Sequence, residues 1–379
     1  MKVLTVIGTR PEAIKMAPLI KKLQEQKSIK SFVCVTAQHR EMLDQVLKIF
    51  NIVPDYDLNL MARNQSLIQL SSKIMTQLEP IFQENKPDCV LVHGDTTTTF
   101  AASMAAFYSN IPVFHVEAGL RTYNLYSPWP EEAHRQLTSK IAALHFAPSK
   151  YTAQNLYDEH VDPSTVIISG NTVIDALFMA KEQIAKDKKV LKAIVKQFEF
   201  LDLDKRLILV TIHRRENFGE GIEKVIKAIK ILSEQYTDIE FIIPVHLNPK
   251  VKEPIEKELK AIKNIYLINP LDYLPFVWLM SKSSIILTDS GGIQEEAPSL
   301  NIPVLVMRDA TERQEAVKAG TVKLVGTHPA TIVSEVALLL DNPKVYKKIA
   351  STRNPYGDGN SSEIIIEAIQ QYFKNIKAI

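Results

Sequence analysis

Continuous apolar runs without alternation recur along the first half of the chain and predict strands that are buried on both faces of a parallel sheet. The predicted strands cover residues 3–8, 31–38, 88–94, 111–116 and 144–149. Helical patterns separate these runs, and a helix is the usual connection between parallel strands. The alternation predicts a doubly wound, Rossmann-like α/β domain over residues 1–170.

The same scheme repeats after a charged helical stretch at residues 184–200. Further strands are predicted at residues 206–213, 240–246, 264–269, 284–288 and 302–308. We therefore expect a second Rossmann-like domain over residues 171–363, with the two domains facing a central cleft. The closing amphipathic pattern predicts a helix that crosses back, and residues 364–379 are assigned to the first domain.

Length, charge and cysteine usage narrow the class of protein. A chain of 379 residues exceeds the size at which one core keeps growing, and 46% hydrophobic residues fill two cores. A net charge of +2, with acids and bases interspersed, gives no support for a nucleic-acid partner. Cys34 and Cys89 lie in predicted buried strands, as reduced cytosolic thiols do. Because the first apolar run is short, we expect neither a signal peptide nor a membrane span, and a cytoplasmic protein.

Two carboxylates follow neighbouring predicted strands and suggest acid/base chemistry. Asp95 comes after residues 88–94 and Glu117 after residues 111–116. Right-handed crossovers bring both to the edge of the sheet where ligands bind. Asp95 could instead cap the following helix, and Glu117 could form a structural ion pair with His115 or Arg121.

A first strand-to-helix turn carries Arg10 and Lys15, beside the N-H groups of a predicted helix N-terminus. These groups could bind a phosphate or a carboxylate, although the turn lacks the Walker pattern. Both cations could also be ordinary solvated charges. A later helix opens at Glu131 after two prolines, and Arg135 shares its face. As a surface ion pair, these two residues would contribute only about 0.3 to 0.5 kcal/mol to the stability of the folded protein. Their closeness to the Glu117 loop, however, favours a function for Glu131.

Two further turns in the second half carry candidate phosphate ligands. His213 ends a predicted strand, and Arg214 and Arg215 follow it, which is typical of a phosphate grip or a proton donor. A histidine alone would more often be structural. Residues 289–292 join another strand to a helix through Ser-Gly-Gly, where the backbone could approach phosphate oxygens closely. Glu296 could then accept hydrogen bonds from ribose, although the turn could be a plain tight turn.

Seven segments in order carry a family resemblance: GTRPEAIKMAPLI, VHGDTTTTFAAS, HVEAGLRT, PEEAHRQLTSKIA, GNTVIDAL, VTIHRREN and DSGGIQEEAP. Together they resemble the non-hydrolysing UDP-N-acetylglucosamine 2-epimerases over nearly the whole chain. The resemblance implies the glycosyltransferase-B type of two-domain fold. It also implies a homodimer that needs neither nicotinamide nor a metal, and hence no cofactor.

The resemblance implies reversible epimerisation at C2 of UDP-N-acetylglucosamine to UDP-N-acetylmannosamine. Family members eliminate UDP to a 2-acetamidoglucal and add it back, and the product supplies bacterial surface polysaccharide synthesis. A glycosyltransferase of the same fold is the first alternative, because fold does not fix function. A hydrolysing 2-epimerase and a non-catalytic sensor of nucleotide sugars are the others.

The resemblance also assigns residues to roles. The implied catalytic set is Asp95, Glu117, Glu131, Arg135 and His213. The implied UDP-sugar ligands are Arg10, Lys15, Asp95, Glu117, His213, Leu271, Phe276, Ser290, Gly291, Gly292, Glu296 and Arg313. An implied allosteric site for a second UDP-N-acetylglucosamine comprises Gln38, His39, Gln65, Glu131, Arg214 and His246. The sequence departs from regulated members at Glu41 and Asn64, where Gln and Arg are expected, and Leu271 replaces a polar residue.

Overall fold

The computed structural model describes residues 1–36, 40–60 and 65–377 and divides the chain into two compact units. The first unit comprises Met1–Phe178 and Tyr356–Ile379, and the second comprises Met179–Pro355. Each unit is built around one parallel sheet with helices between successive strands.

The strands of the described residues are β1 (Lys2–Ile7), β2 (Lys30–Val35), β3 (Tyr56–Asp57), β4 (Cys89–His93), β5 (Val113–Val116), β6 (Leu144–Ala147), β7 (Val166–Ile168), β8 (Arg206–Thr211), β9 (Ile239–Pro244), β10 (Ile265–Ile268), β11 (Ile285–Thr288), β12 (Val304–Val306) and β13 (Val322–Leu324). The first sheet has the order β3-β2-β1-β4-β5-β6-β7, and the second has the order β10-β9-β8-β11-β12-β13.

The helices of the described residues are α1 (Arg10–Glu25), α2 (Arg40–Ile49), α3 (Leu67–Asn85), α4 (Thr97–Tyr108), α5 (Glu131–Ile141), α6 (Lys150–Asp158), α7 (Thr172–Lys186), α8 (Lys188–Lys196), α9 (Glu220–Gln235), α10 (Pro249–Leu259), α11 (Tyr273–Lys282), α12 (Gly291–Glu296), α13 (Gln314–Ala319), α14 (Pro329–Asp341), α15 (Pro343–Ala350) and α16 (Ser361–Lys377). None of those helices is both long and apolar enough to cross a bilayer.

Both sheets have the switch in strand order that positions ligand sites in open α/β folds. In the first sheet β1 lies between β2 and β4, with Val6 opposite Cys34 and Thr5 opposite Leu91. In the second sheet β8 lies between β9 and β11. The loops that follow β1, β4, β8 and β11 therefore leave the sheets at these two switch points.

Local capping explains where the helices beside the first switch point begin. Thr9 Oγ1 accepts a hydrogen bond from the Glu12 N–H, and the Glu12 carboxylate in turn accepts one from the Thr9 N–H at 2.7 Å. This is a capping box, with Pro11 in the first turn. At the next strand Thr96 caps α4 by accepting from the Thr99 N–H at 3.1 Å.

The last helix packs on the first unit. The ring of Tyr372 meets the ring of Phe114 edge to face, with centroids 5.0 Å apart, and Phe114 is fully buried on β5. Glu363 pairs with Lys22 on α1 at 2.5 Å. The first unit is therefore assembled from two separate stretches of chain, because α16 covers apolar surface that the earlier residues leave open.

The unit boundaries differ in position from those expected in the sequence. The predicted first boundary lay at residue 170, whereas the first unit continues through Phe178, inside α7. The chain was predicted to return to the first domain at residue 364, whereas the first unit resumes at Tyr356. The sequence analysis also missed β3, β7 and β13, which have only two or three residues each and so show no periodicity.

Candidate active site

Glu117 lies at the carboxyl end of β5 in the first unit, and several donors converge on one of its oxygens. Oε2 accepts a hydrogen bond from Lys15 Nζ on α1 and one from Asn171 Nδ2 at 3.1 Å. His93 Nε2, at the end of β4, lies 3.5 Å from the same oxygen. The Glu117 backbone has a φ of 62°, an uncommon value for a residue with a side chain, and such strain is typical of functional positions.

The surroundings of Glu117 hold it as an anion. Burial opposes its ionisation, but the charge of Lys15 and then that of His93 outweigh burial, so the pKa of Glu117 lies well below its ordinary value. The proposed structural partners of Glu117 are wrong. Arg121 pairs with Glu159 at 2.6 Å, and His115 Nε2 lies 2.7 Å from the Gly94 carbonyl oxygen. Lys15 is a buried partner of Glu117 and not a solvated charge.

Asp95 follows β4 and has a different environment. Its Oδ2 forms an ion pair with Arg135 Nη2 at 2.8 Å. Partial burial raises the pKa of Asp95, Arg135 opposes that rise, and the negative charges of Glu117 and Glu131 add to it. The alternative in which Asp95 caps α4 is wrong, because the cap is Thr96.

The helix that carries Arg135 is held against the Asp95 loop. His134 Nδ1 lies 3.2 Å from the Asp95 carbonyl oxygen, and its ring stacks on Phe100 with centroids 5.0 Å apart. Glu131 opens α5 as predicted and is half-buried. The ion pairs of Arg135 go to Asp95 and, at 3.5 Å, to Glu132, so the expected pairing with Glu131 on one helix face is replaced.

The N-terminus of α1 already holds a carboxylate of the chain itself. Glu12 Oε2 accepts from the Gly8 and Thr9 N–H groups at 3.0 and 2.7 Å, and Oε1 accepts from Thr96 Oγ1 at 2.7 Å. The Gly8 and Thr9 N–H groups of this turn are thus engaged within the chain. Arg10 occupies the first position of α1 and is half-buried.

In the second unit, the buried carboxylate of Asp289 organises the end of β8. It accepts from the N–H groups of His213 and Arg214 at 3.0 and 2.9 Å and from Asn217 Nδ2 at 3.0 Å, and His213 Nδ1 lies 3.0 Å from Oδ1. Burial disfavours its ionisation, but the hydrogen bond and charge of His213 outweigh burial and lower the pKa of Asp289. Asp289 therefore orients the His213 ring, whose side chain remains 37% exposed.

A group of arginines and acids lies against the Ser-Gly-Gly turn. Arg313 pairs with Glu295 and Glu312, each at 2.8 Å, and Arg214 Nη2 lies 3.4 Å from Glu312. Burial opposes ionisation of Glu312, but Arg313 and the other arginines lower its pKa to about 2. A Cβ at Gly291 would lie 3.1 Å from Arg313 Cζ, so only a residue without a side chain fits here without displacement.

The sequence as a whole matches the model of one protein family. The family is described as UDP-N-acetylglucosamine 2-epimerase, and residues 21–370 match it. The chain belongs to the UDP-N-acetylglucosamine 2-epimerase family. The recognition made from its motifs is therefore confirmed.

Several members of this epimerase family are similar along their whole length. The UDP-N-acetylglucosamine 2-epimerase of Neisseria meningitidis is 57% identical over 369 residues, which cover 97% of this chain and 99% of that protein. The enzyme of the same name from Escherichia coli K12 is 56% identical over 370 residues, 98% of each chain.

Solved epimerase structures agree with the fold. The N. meningitidis UDP-GlcNAc 2-epimerase bound to UDP-GlcNAc has a TM-score of 0.89 at 56% identity, covering 98% of this chain and 100% of that one. The Methanocaldococcus jannaschii UDP-GlcNAc 2-epimerase in complex with UDP-GlcNAc and UDP has a TM-score of 0.79 at 31% identity, covering 98% and 100%. The prediction of two Rossmann-like domains of the glycosyltransferase-B type is confirmed.

Of the residues that the epimerase resemblance assigns, the first unit brings together Lys15 and Glu117, and Asp95 and Arg135. The second unit brings together His213 and His246, whose ring centroids are 6.3 Å apart. Gln38, His39 and Asn64 lie outside the described residues, as does the side chain of Glu41.

Five other residues assigned by the resemblance lie in helices or close to the starts of helices. Gln65 is partly buried before α3, Leu271 precedes α11 and Phe276 lies in its first turn. Ser290 directly precedes α12 and donates its N–H to Thr288 Oγ1 at 2.9 Å. Glu296 is buried and accepts from the Tyr273 hydroxyl at 2.9 Å.

His93, Asn171 and Asp289 were not predicted from the sequence as site residues, although each contacts a predicted site residue of this epimerase. A signal for them existed. Each ends or closely follows a strand at its carboxyl end, where the rule that selected Asp95 and Glu117 applies equally.

Proposed function

We propose that the chain interconverts UDP-N-acetylglucosamine and UDP-N-acetylmannosamine without hydrolysing either. In the first step a base removes the C2 proton, the C–H electrons form the C1–C2 double bond, and UDP leaves with the electrons of the C1–O bond. The product is 2-acetamidoglucal. In the second step UDP oxygen bonds to C1 while a proton is delivered to C2 on the opposite face.

This reaction needs two groups that handle a proton at one carbon. The proposal rests on two carboxylates of the first unit whose surroundings shift their pKa values in opposite directions. The pKa of Asp95 is raised, chiefly by burial, and that of Glu117 is lowered because Lys15 and His93 outweigh burial. Titratable groups whose environments separate their pKa values are the mark of distinct acid and base roles.

We assign one of the two proton transfers at C2 to Asp95, because a raised pKa lets its carboxyl group hold a proton more readily than an ordinary carboxyl group does. Glu117 is the second carboxylate, held ionised beside the reacting carbon. Arg135 adjusts the ionisation of Asp95, and Glu131 is the supporting acid at the start of α5.

The departing diphosphate requires positive charge and hydrogen-bond donors. In the second unit we assign this role to His213, oriented by Asp289, to Arg313 and to the turn of Ser290 and Gly291. Arg10 is the corresponding cation of the first unit. Glu296 is assigned to the ribose hydroxyls, and Phe276 and Leu271 to the uracil.

The proposal is tested by incubating the protein with UDP-N-acetylglucosamine in heavy water. We expect deuterium at C2 of both epimers, with UDP still attached at equilibrium. Free N-acetylmannosamine as the main product would favour a hydrolysing epimerase. Sugar transfer to an added acceptor, without exchange at C2, would favour a glycosyltransferase.

Substitution of each carboxylate by its amide tests whether that carboxylate takes part in the reaction. Asp95→Asn and Glu117→Gln should each abolish the exchange while UDP binding, measured by calorimetry, is retained. Glu84→Gln is the matched control, since Glu84 is an exposed carboxylate on α3. Exchange at the wild-type rate in D95N would remove Asp95 from the proposed mechanism.

We further propose that a second UDP-N-acetylglucosamine activates the enzyme near His246 and Arg214. The support is the stacking of His246 with His213, which joins the implied allosteric and catalytic residues in one unit. Rate against substrate concentration should be sigmoidal for the wild type and hyperbolic, with a lower maximum, for His246→Ala. A hyperbolic wild-type curve would contradict activation by substrate.

A further inference from the structure

Asn171 lies between β7 and α7, is buried, and uses its side-chain amide in two directions. Its Oδ1 accepts a hydrogen bond from the Val173 N–H at 3.0 Å, and its Nδ2 donates to Glu117 Oε2 at 3.1 Å. The first bond fixes which end of the amide is oxygen, because only oxygen can accept from a backbone N–H. The nitrogen therefore faces the carboxylate.

The bonds of Glu117 are divided unequally between its two oxygens. Oε2 receives Lys15 Nζ and Asn171 Nδ2, with His93 Nε2 at 3.5 Å. Within the described ranges, Oε1 forms no hydrogen bond or ion pair. Two donors from different elements, α1 and the start of α7, determine the plane and the direction of the carboxylate, whereas a single bond would leave it free to rotate.

We propose that Asn171 is a positioning residue that fixes the Glu117 carboxylate by its Oε2 and so leaves Oε1 as the oxygen that meets the sugar. This inference rests on the proposed epimerisation, in which Glu117 lies beside the reacting carbon. Lys15 supplies charge and Asn171 supplies direction, since an amide donates along a fixed line and an ammonium group donates over a wide range of angles.

A purely structural role for Asn171, as the cap of α7, makes a different prediction. Asn171→Asp keeps the size of the side chain and the Oδ1 acceptor for Val173, so a structural role would survive the change. The amide donor, however, becomes a carboxyl group about 3 Å from Glu117. Two carboxyl groups this close retain a shared proton to a higher pH than either alone.

The groups that face Glu117 are Lys15 from α1, His93 from β4 and, through its charge, Asp95 from the loop after β4. At low pH the shared proton lets the introduced carboxyl group of N171D donate to Oε2 as the amide does. As the pH rises the proton is lost, and the bond is replaced by repulsion. Activity of N171D should therefore fall with rising pH over a range in which wild-type activity does not.

The experiment compares N171D and N171A with Asn85→Asp. Asn85 is a suitable control because its amide also donates within the first unit, to the Tyr56 hydroxyl at 2.7 Å, but near the amino end of β4. We expect N171A to lower kcat by about 10-fold to 100-fold with KM and UDP affinity nearly unchanged. N171D should approach wild-type kcat near pH 5 and lose about 10-fold by pH 8, while N85D follows the wild type.

A measurement that needs no turnover separates this inference from the proposed function. In protein labelled with ¹³C at the Asp and Glu carboxyl carbons, N171D should show one carboxyl titration above the ordinary range that is absent from the wild type, from N85D and from N171D combined with E117Q. Absence of that titration, or a wild-type pH profile in N171D with kcat of N171A within twofold of wild type, overturns the role of Asn171. If the wild type produces no epimer, the proposed function fails and the titration still decides whether Asn171 controls Glu117.

Discussion

Arg135 Nη2 lies 2.8 Å from Asp95 Oδ2, and this ion pair joins the first turns of α5 to the loop after β4. Burial and neighbouring acids raise the pKa of Asp95, and Arg135 is the strongest influence in the opposite direction. The arginine thus sets how readily Asp95 gives up its proton. The Arg135 side chain is 11% exposed and the Asp95 side chain is 26% exposed, so solvent screens the ion pair only in part.

Replacing Arg135 should therefore move the pH dependence of the reaction. In Arg135→Met the pKa of Asp95 rises further, so Asp95 stays protonated to higher pH and the acid limb of kcat/KM moves up by roughly one pH unit. At neutral pH we expect kcat/KM to fall about 100-fold. Lys140→Met, at the exposed end of the same helix, is the control. An acid limb of kcat/KM in R135M at the same pH as in the wild type would contradict the role of Arg135.

Lys15 is the largest favourable charge for ionised Glu117, and both side chains are nearly buried at 12% and 10% exposure. Lys15→Met leaves that carboxylate without its counter-ion and should lower the free energy of unfolding by about 3 kcal/mol at pH 7. The loss should shrink as the pH falls below about 4.5, because Glu117 becomes protonated in K15M at a higher pH than in the wild type, whose folded-state pKa lies well below that value.

Urea denaturation at pH 7 and pH 4 measures this difference. Lys21→Met is the matched variant, since Lys21 is on the same helix and, among the described residues, its ammonium contacts only the Asn51 carbonyl oxygen at 3.4 Å. Equal stabilities of K15M and K21M at both pH values would show that the Lys15 pair does not stabilise the first unit.

Adjacent glycines at the start of α12 allow a matched test of the UDP assignment. A Cβ at Gly291 would meet Arg313, Glu312 and Arg214 at 3.1 to 3.4 Å, whereas at Gly292 the nearest atom is Glu296 Oε2 at 4.0 Å. Gly291→Ala should displace the arginines and weaken UDP binding about 10-fold. Gly292→Ala should change it less than threefold, and calorimetry that finds equal affinities would count against the assignment.

Asp289 should contribute stability that depends on pH in a defined direction. Its folded-state pKa lies below the ordinary value of 3.8, so its contribution is fully present above that value and is lost as the pH falls through the folded pKa. Asp289→Asn replaces one acceptor oxygen with an NH2 donor that faces N–H donors, and it should lower the free energy of unfolding by about 1 to 3 kcal/mol at pH 7.

The contribution of Asp289 to stability is measured by thermal unfolding of D289N and the wild type from pH 7 to pH 3. The gap between their midpoints should narrow below pH 4. Asp204→Asn, at an exposed position of the same unit, should track the wild type throughout. A gap that widens on acidification would show that Asp289 is not ionised in the folded protein.

The positions of Asp95 and Glu117 just beyond the carboxyl ends of β4 and β5 could be predicted from the local sequence pattern. Asp95 and Glu117 follow long apolar runs, and a strand that ends in a carboxylate can be recognised without knowing its neighbours. The alternation of strands and helices predicted both sheets for the same reason. Strands of two or three residues, such as β3, were missed because so short a run has no period.

Which groups pair with those two residues could not be predicted, because the partners come from distant parts of the chain. Lys15 is 102 positions from Glu117, and Asn171 is 54 positions from it. Arg121, which was predicted to pair with Glu117 because it is close in sequence, instead pairs with Glu159 at the end of α6. Proximity along the chain is a poor guide once parallel strands bring remote loops to one edge.

The two places where the chain leaves and re-enters the first unit are neighbours. Phe178 lies against Gly359, and Asp175 accepts from the Ser362 N–H at 2.8 Å. An insert whose ends start from adjacent points can be exchanged with little strain on its host. Residues 179–355 could thus be replaced as one segment by a homologous unit while the first unit keeps its fold.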